Sequence, residues 1–147
     1  MLKMKLKLNI DELTDDFFED TRLLGITATT KSYRFCWAIN NMIGFNFRLN
    51  PDIEIHLQKK GRQYFFPVYQ FTVPNTDLHH FIYHNQYDGE YLLPEFKHMD
   101  FLWLVKGDCF PDEDCYNLIQ SVKKINGVQL IAELTNEHIK NKGNLVF

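Results

Sequence analysis

Apolar and polar residues alternate along much of the chain, which is the pattern of β-strands that bury one face. The predicted strands are a short one around Leu6 and Leu8, followed by 23–30, 45–50, 53–58, 64–73, 78–84, 91–93, 100–105 and 128–134. Turns are predicted at 50–52, 59–62, 74–77 and 88–89. Pro67 lies inside one strand, and because proline cannot donate a ladder hydrogen bond it predicts an edge strand or a bulge there.

Two other segments repeat apolar residues at the spacing of a helix. The first, 31–43, is followed by Gly44, which suits a left-handed helix end, and its apolar stripe consists of Phe35, Cys36, Ile39, Met42 and Ile43. The second, 111–125, has three acidic residues in its first turn and two lysines in its last, a distribution that complements the helix dipole. The acidic stretch 11–20 has no regular period and is predicted to be a loop or a short helical turn.

Strands flank both predicted helices, so two βαβ-like units are expected on either side of a β-meander. We therefore predict the α+β class, with a single mostly antiparallel sheet and two helices on one face. The chain has 147 residues, and no repeat or linker divides it. A single domain over 1–147 is expected because this length suits one hydrophobic core.

Composition indicates a compartment and excludes several classes of function. Aromatic residues make up 15% of the chain, and the net charge of −3 argues against a protein that binds nucleic-acid phosphates. Lysines interrupt the apolar residues near Met1 and the longest apolar run is 101–105, so neither a signal peptide nor a membrane span is predicted. Cys36, Cys109 and Cys115 are an odd number without metal-ligand spacing, which is typical of a reducing compartment. We predict a cytoplasmic protein without a membrane partner.

Residues 93–101 read Leu-Pro-Glu-Phe-Lys-His-Met-Asp-Phe, and this segment resembles the signature of the bacterial IPExxxVDY family. Pro94, Glu95 and Asp100 match the signature, and Phe101 stands in place of its tyrosine. Further segments that resemble the family are Tyr33-Arg34, Val68–Phe71, Gly127–Gln129 and Asn144–Phe147. The resemblance implies no particular activity. It does mark Arg34, Pro94, Glu95, Asp100 and Phe101 as candidate site residues, with a structural or a binding role.

Glu95 and Asp100 are the candidate pair of carboxylates for acid–base chemistry. Their spacing places them on opposite faces of a regular strand, so only a loop over 94–98 would bring them together. The alternative is structural, with Glu95 capping backbone amides or pairing with Arg34, and Asp100 starting a strand. We expect Arg34 to form a bidentate ion pair with Glu95 or Asp100.

Other catalytic or cofactor chemistry is not predicted. His80 and His84 would lie roughly 13 Å apart on a strand, which is too far for one metal ion. Cys36 and Cys115 lie on the apolar stripes of the predicted helices and are expected in the core. The sequence has no glycine-rich phosphate loop and no serine nucleophile elbow. We therefore predict no catalytic residue, no metal site and no cofactor.

The favoured interpretation is a non-enzymatic module for protein–protein interaction or self-association, with a homodimer expected. An edge strand near Pro67 would allow another strand to add to the sheet. The first alternative is an enzyme or small-ligand-binding protein that uses Arg34, Glu95 and Asp100. The second is RNA binding through the basic turn 59–62 and its neighbouring aromatic residues. A deep pocket at Arg34 would favour the first alternative, and a flat aromatic patch would favour the module.

Overall fold

The structure is a computed structural model that describes residues 12–108, 110–135 and 138–147. The strand predicted around Leu6 and Leu8 lies outside the described residues, as does Cys109. Within the described residues, no helix is both long enough and apolar enough to cross a membrane.

The described chain begins in a short helix, α1 (12–17), where a loop or helical turn is predicted. The other elements are β1 (Thr21–Ala28), α2 (Ser32–Ile43), β2 (Arg48–Lys59), β3 (Arg62–Thr72), β4 (Leu78–His84), β5 (Gln86–Tyr87), β6 (Glu90–Tyr91), β7 (Phe101–Gly107), α3 (Asp112–Lys123) and β8 (Val128–Leu134). Two 3-10 turns are also present, at Pro94–Phe96 and Lys142–Leu145. The predicted strand 91–93 is reduced to the short β6, because the chain leaves the ladder at Leu92.

Six strands form one sheet in the order β2-β3-β4-β7-β1-β8, and every neighbouring pair is antiparallel. The predicted α+β class is therefore confirmed. β7 and β8 are both antiparallel to β1, so the β7-α3-β8 unit joins two parallel strands with β1 between them. The β1-α2-β2 unit likewise joins two parallel strands that are not neighbours, with β3, β4 and β7 between them.

Both long helices pack on the same sheet face, as predicted. Phe35, Cys36 and Ile39 of α2 are buried there, and α3 contributes its own stripe, which includes Leu118 and Val122. These residues recur at helical spacing, so each helix presents one apolar stripe to the sheet. The sheet supplies the facing residues Leu24, Ile26, Phe101, Trp103 and Val105.

The opposite sheet face is covered by short segments. The loop between β6 and β7 contributes Leu92, Leu93 and Met99, and the C-terminal segment contributes Ile139 and Leu145. Phe17 and Phe18, at the end of α1, pack against the same cluster. The central strands β4, β7 and β1 are therefore buried on both faces.

Two sequence expectations about prolines need correction. The turn predicted at 50–52 is instead part of β2, where the register against β3 shifts between Leu49 and Glu54. Pro67 lies opposite Glu54 next to this shift, so the bulge is confirmed. The edge-strand alternative is wrong, because β3 pairs with β2 on one side and β4 on the other.

A buried histidine lies among aromatic rings on the helix face of the sheet. His80 is 2% exposed, and its Nδ1 accepts a hydrogen bond from Trp103 Nε1 at 3.0 Å. The rings whose centroids lie 5.0 to 6.4 Å from that of His80 belong to Phe45, Phe47, Phe71, Trp103 and Phe110. Burial, assisted by the neighbouring His79, lowers the pKa of His80 to about 4. The imidazole is therefore neutral at physiological pH.

We expect stability to fall as the pH drops from about 6.5 to about 4, because the unfolded chain protonates His80 before the folded protein does. Protonation of His80 should lower the free energy of unfolding by about 3 kcal/mol. Urea unfolding at several pH values should show it as the difference between wild type and His80→Gln, which keeps a neutral side chain. Parallel pH dependence of the two proteins would contradict the assignment.

Candidate functional site

The residues that resemble the family signature lie mainly in the loop 92–100 between β6 and β7, here called the signature loop. Asn85, directly after β4, is fully buried beneath it. Its Nδ2 donates to the carbonyls of Phe96 and Met99 at 3.0 and 2.9 Å, and its Oδ1 accepts from the Leu93 amide at 2.8 Å. One side chain thus fixes three points of the loop.

Two further contacts hold the loop against β1. Thr27 Oγ1 donates to the His98 carbonyl at 2.6 Å. Met99 packs directly over Gly25, where an added Cβ would lie only 2.9 Å from Met99 Cγ. Because glycine leaves this space free, the loop approaches the sheet closely.

Glu95 lies in the 3-10 turn that begins at Pro94 and joins the loop to the C-terminal segment. Its Oε2 accepts hydrogen bonds from the amides of Lys140 and Asn141 at 2.5 and 2.7 Å, and its Oε1 accepts from Asn141 Nδ2 at 2.9 Å. Burial alone would raise the pKa of Glu95, but these hydrogen bonds outweigh it and lower the pKa. Glu95 therefore caps backbone amides, which is one of the structural roles predicted for it.

Asp100 closes the loop and leads into β7. Its Oδ2 accepts from the Ala28 amide at 2.9 Å, and its own amide donates to the Ile26 carbonyl at 2.7 Å. The next residue, Phe101, is fully buried and stacks on Phe35 of α2 with ring centroids 4.4 Å apart. Asp100 therefore ties the end of β1 to the loop.

The predicted ion pair of Arg34 with Glu95 or Asp100 is wrong. Arg34 lies on the exposed side of α2, on the helix face of the sheet, whereas the signature loop covers the other face. The carboxylates of Glu95 and Asp100 bind backbone amides instead. The three residues do not converge on one site, so the predicted alternative of an enzyme or ligand site built from them is not formed.

The histidines and the described cysteines occupy separate environments. Within the described residues, no group of three or more His, Cys, Asp or Glu side chains is placed to hold a metal ion. His79 contacts Thr72 and Asp77, whereas His80 points into the aromatic core. Burial raises the pKa of the Cys36 thiol to about 12 and also raises that of Cys115. Neither thiol is a reactive nucleophile at neutral pH.

The aromatic residues next to the basic turn 59–62, on which the RNA-binding alternative depends, are mostly covered. Of the aromatic residues on β3, Tyr64 and Phe66 are buried, and Tyr69 and Phe71 are half-buried. Phe65 is exposed and contacts the ring of His56, with centroids 4.6 Å apart. Both sheet faces are covered, so the strand does not present a row of free rings on which bases could stack.

The outer side of α2 carries an exposed group of large residues, Tyr33, Arg34, Trp37 and Met42, here called the α2 surface. These side chains line a groove of about 600 Å³ that also contacts Ile125, after the end of α3. Trp37 is 66% exposed, Tyr33 57% and Met42 61%. The groove is therefore lined by exposed aromatic and apolar side chains, with Arg34 among them.

The predicted position of Met42 on the buried stripe of α2 is wrong, because its side chain is 61% exposed, and sequence reasoning did not single out Trp37. A signal was present for Trp37, which lies two positions from both Phe35 and Ile39 and hence about 200° around the helix from them. An apolar ring directed away from the buried stripe predicts exposure. No comparable signal marks Asn85, because its loop partners lie 8 to 14 residues further along the chain.

Comparison with models of known protein families and with curated proteins finds no match to this chain. The resemblance of residues 93–101 to the IPExxxVDY signature stays a prediction.

Replacing Asn85 with alanine should destabilise the protein by about 2–4 kcal/mol, because it leaves several buried backbone groups of the loop without partners. Asn46→Ala is the matched control, since Asn46 is exposed and its replacement should change stability by less than about 0.5 kcal/mol. Chemical denaturation measures both values. Equal stabilities would show that the loop does not depend on Asn85.

A double-mutant cycle tests the separation of Arg34 from Glu95. Glu95→Ala should cost about 1–2 kcal/mol because charge-assisted bonds to two backbone amides are lost, whereas Arg34→Ala should be close to neutral. The two effects should add, with a coupling energy below about 0.5 kcal/mol. A larger coupling energy, measured by denaturation, would show that Arg34 and Glu95 do interact.

Proposed function

We propose that this chain is a non-enzymatic module that binds another protein through the α2 surface. The observation that carries the proposal is the exposure of Trp37, a large aromatic side chain on the outer side of a helix, beside Tyr33 and Arg34. Tryptophan, tyrosine and arginine are the residues that most often dominate the energy of protein interfaces. None of these three side chains is buried, so packing within this chain does not account for them.

The charges around the groove indicate what kind of segment it binds. Lys31 precedes α2, Arg34 lines the groove, and Lys123 and Lys124 precede the lining residue Ile125. None of these four cations has a carboxylate partner within the part of the chain that the structure describes. No acidic residue lines the groove. Arg34 is the one charged residue among the described residues that line the groove, and the three lysines lie within two positions of lining residues, so we infer a partner of opposite charge.

The occupant we propose is an amphipathic helix of the partner protein, with an apolar stripe and acidic flanks. The groove lies between α2 and the end of α3, which is the arrangement in which an apolar helix face is usually bound. The acidic flanks would pair with Arg34 and the neighbouring lysines. The net charge of −3 for the whole chain makes this basic rim a local feature.

We also propose a cytoplasmic location, which the free, buried thiols of Cys36 and Cys115 support. Self-association is a second proposed function. The observation that favours it is an unprotected sheet edge remote from α2, whose geometry is given in the next subsection.

Two synthetic tryptophan-free helical peptides test the partner chemistry. Both carry the same leucine stripe, but one has glutamate and the other lysine on its polar face. The described residues include two tryptophans, exposed Trp37 and buried Trp103, so binding should shift the emission of Trp37. We expect micromolar binding of the acidic peptide and at least tenfold weaker binding of the basic one.

Variants locate the bound surface by calorimetry, which does not depend on fluorescence. Trp37→Ala should weaken binding of the acidic peptide at least tenfold. Tyr116→Ala, which removes a 62% exposed ring from α3, is the control and should bind like wild type. Failure to bind the acidic peptide, or equal binding of both peptides, would overturn the proposal. Stronger binding to anionic lipid vesicles or to single-stranded RNA would assign the surface to those ligands instead.

A further inference from the structure

We infer that two copies of this chain associate by pairing their β8 strands, which joins their six-stranded sheets into one continuous sheet. β8 lies at one end of the sheet and pairs with β1 on its inner side. No strand covers its outer side among the described residues. The edge of a sheet presents unpaired backbone groups that another strand can use. This inference is independent of the α2 surface.

The other end of the sheet shows what a protected edge looks like in this protein. β2 contains Pro51 and a register shift, both of which prevent regular pairing with another strand. The 3-10 turn Lys142–Leu145 also contacts β2. β2 is therefore unsuited to pairing with a second copy.

β8 has one such feature, a shift of its register against β1 at Gln129, but from Leu130 to Leu134 it pairs regularly with β1. Its sequence, Val-Gln-Leu-Ile-Ala-Glu-Leu, contains neither proline nor lysine. Its one charged residue, Glu133, already forms a bidentate pair with Arg22 of the same chain, with distances of 2.8 and 2.7 Å. Pairing along β8 would therefore not bring an uncompensated charge into the interface.

The two-fold symmetry of such a dimer determines which faces of the two sheets are joined. Two antiparallel copies of one strand are related by a two-fold axis perpendicular to the sheet, so each face continues into the same face of the second copy. Leu130, Ala132 and Leu134 alternate onto the face opposite the helices, and Leu134 is buried in the core there. Leu130 and Ala132 would then contact the same apolar residues of the second copy. Leu130 is 46% exposed in the single chain, and this pairing would cover it.

The size of the contact sets the expected affinity. One strand of seven residues with two apolar side chains is smaller than a typical stable interface. We therefore expect a reversible dimer at micromolar concentrations. The two α2 surfaces would remain free in this dimer, because α2 packs on β7 through the stacked rings of Phe35 and Phe101, whereas the helix that contacts β8 is α3.

Sedimentation velocity of the full chain between about 5 and 200 µM tests the association. The wild-type mass should rise with concentration towards twice the 17.5 kDa of one chain. Leu130→Lys places charges opposite each other across the two-fold axis and should remain monomeric. Leu49→Lys changes a residue of similar exposure on β2 and should dimerise like wild type. A monomeric wild type, or dimerisation of Leu130→Lys equal to that of wild type, would overturn the inference.

Hydrogen exchange identifies the paired strand without any substitution. The outward amides of 130–133 should exchange about two- to sixfold more slowly at 200 µM than at 5 µM, because their rate follows the monomer fraction, whereas the amides of β2 should not change with concentration. Concentration-dependent protection of β2, or protection of β8 that is the same at both concentrations, would overturn the inference. Trp37→Ala should dimerise normally, so failure of this proposal and failure of the α2 proposal are distinguishable.

Discussion

Backbone groups that are buried in a fold must form hydrogen bonds, and Asn85 is where this protein meets that requirement. The signature loop covers the apolar face of the sheet with Leu92, Leu93 and Met99, so its amides and carbonyls cannot all reach water. The Asn85 side chain both donates and accepts, and it binds three of these groups from a fully buried position. Without it, the loop could bury its apolar side chains only by leaving polar groups unpaired.

The carboxylates of the signature extend the same arrangement outwards. Asp100 binds the Ala28 amide and so connects the loop to β1, while Glu95 binds the amides of Lys140 and Asn141 and so connects it to the C-terminal segment. Both acids accept hydrogen bonds from backbone donors, which is a use that stabilises the structure. The signature loop therefore has a structural role, and we expect binding at other surfaces.

The two proposed binding surfaces lie where the fold leaves groups without internal partners. The outer side of α2 exposes Trp37 because the helix has a single buried stripe, which Phe35 and Ile39 occupy. The outer side of β8 has no partner strand in the described part of the chain, because the order of the strands ends there. One surface offers aromatic side chains and cations, and the other offers backbone hydrogen bonds. These chemistries suit different partners, so the two surfaces can act at the same time.

Local pattern was enough to predict the elements and the class of this protein. The apolar stripes at Phe35–Ile39 and along α3 predicted two helices that pack on the sheet. The reason is that most of the stability of such a helix comes from burying its apolar stripe. The positions decided only by the tertiary structure depend on partners distant in sequence. Pro67 lies at a bulge and not at a sheet edge because β3 is paired with a strand on each side. Glu95 binds residues that are 45 and 46 positions away along the chain. Arg34 is separated from Glu95 by the sheet. Periodicity reports which face of an element is buried, but strand order and loop contacts are set by packing between segments that the local pattern does not relate.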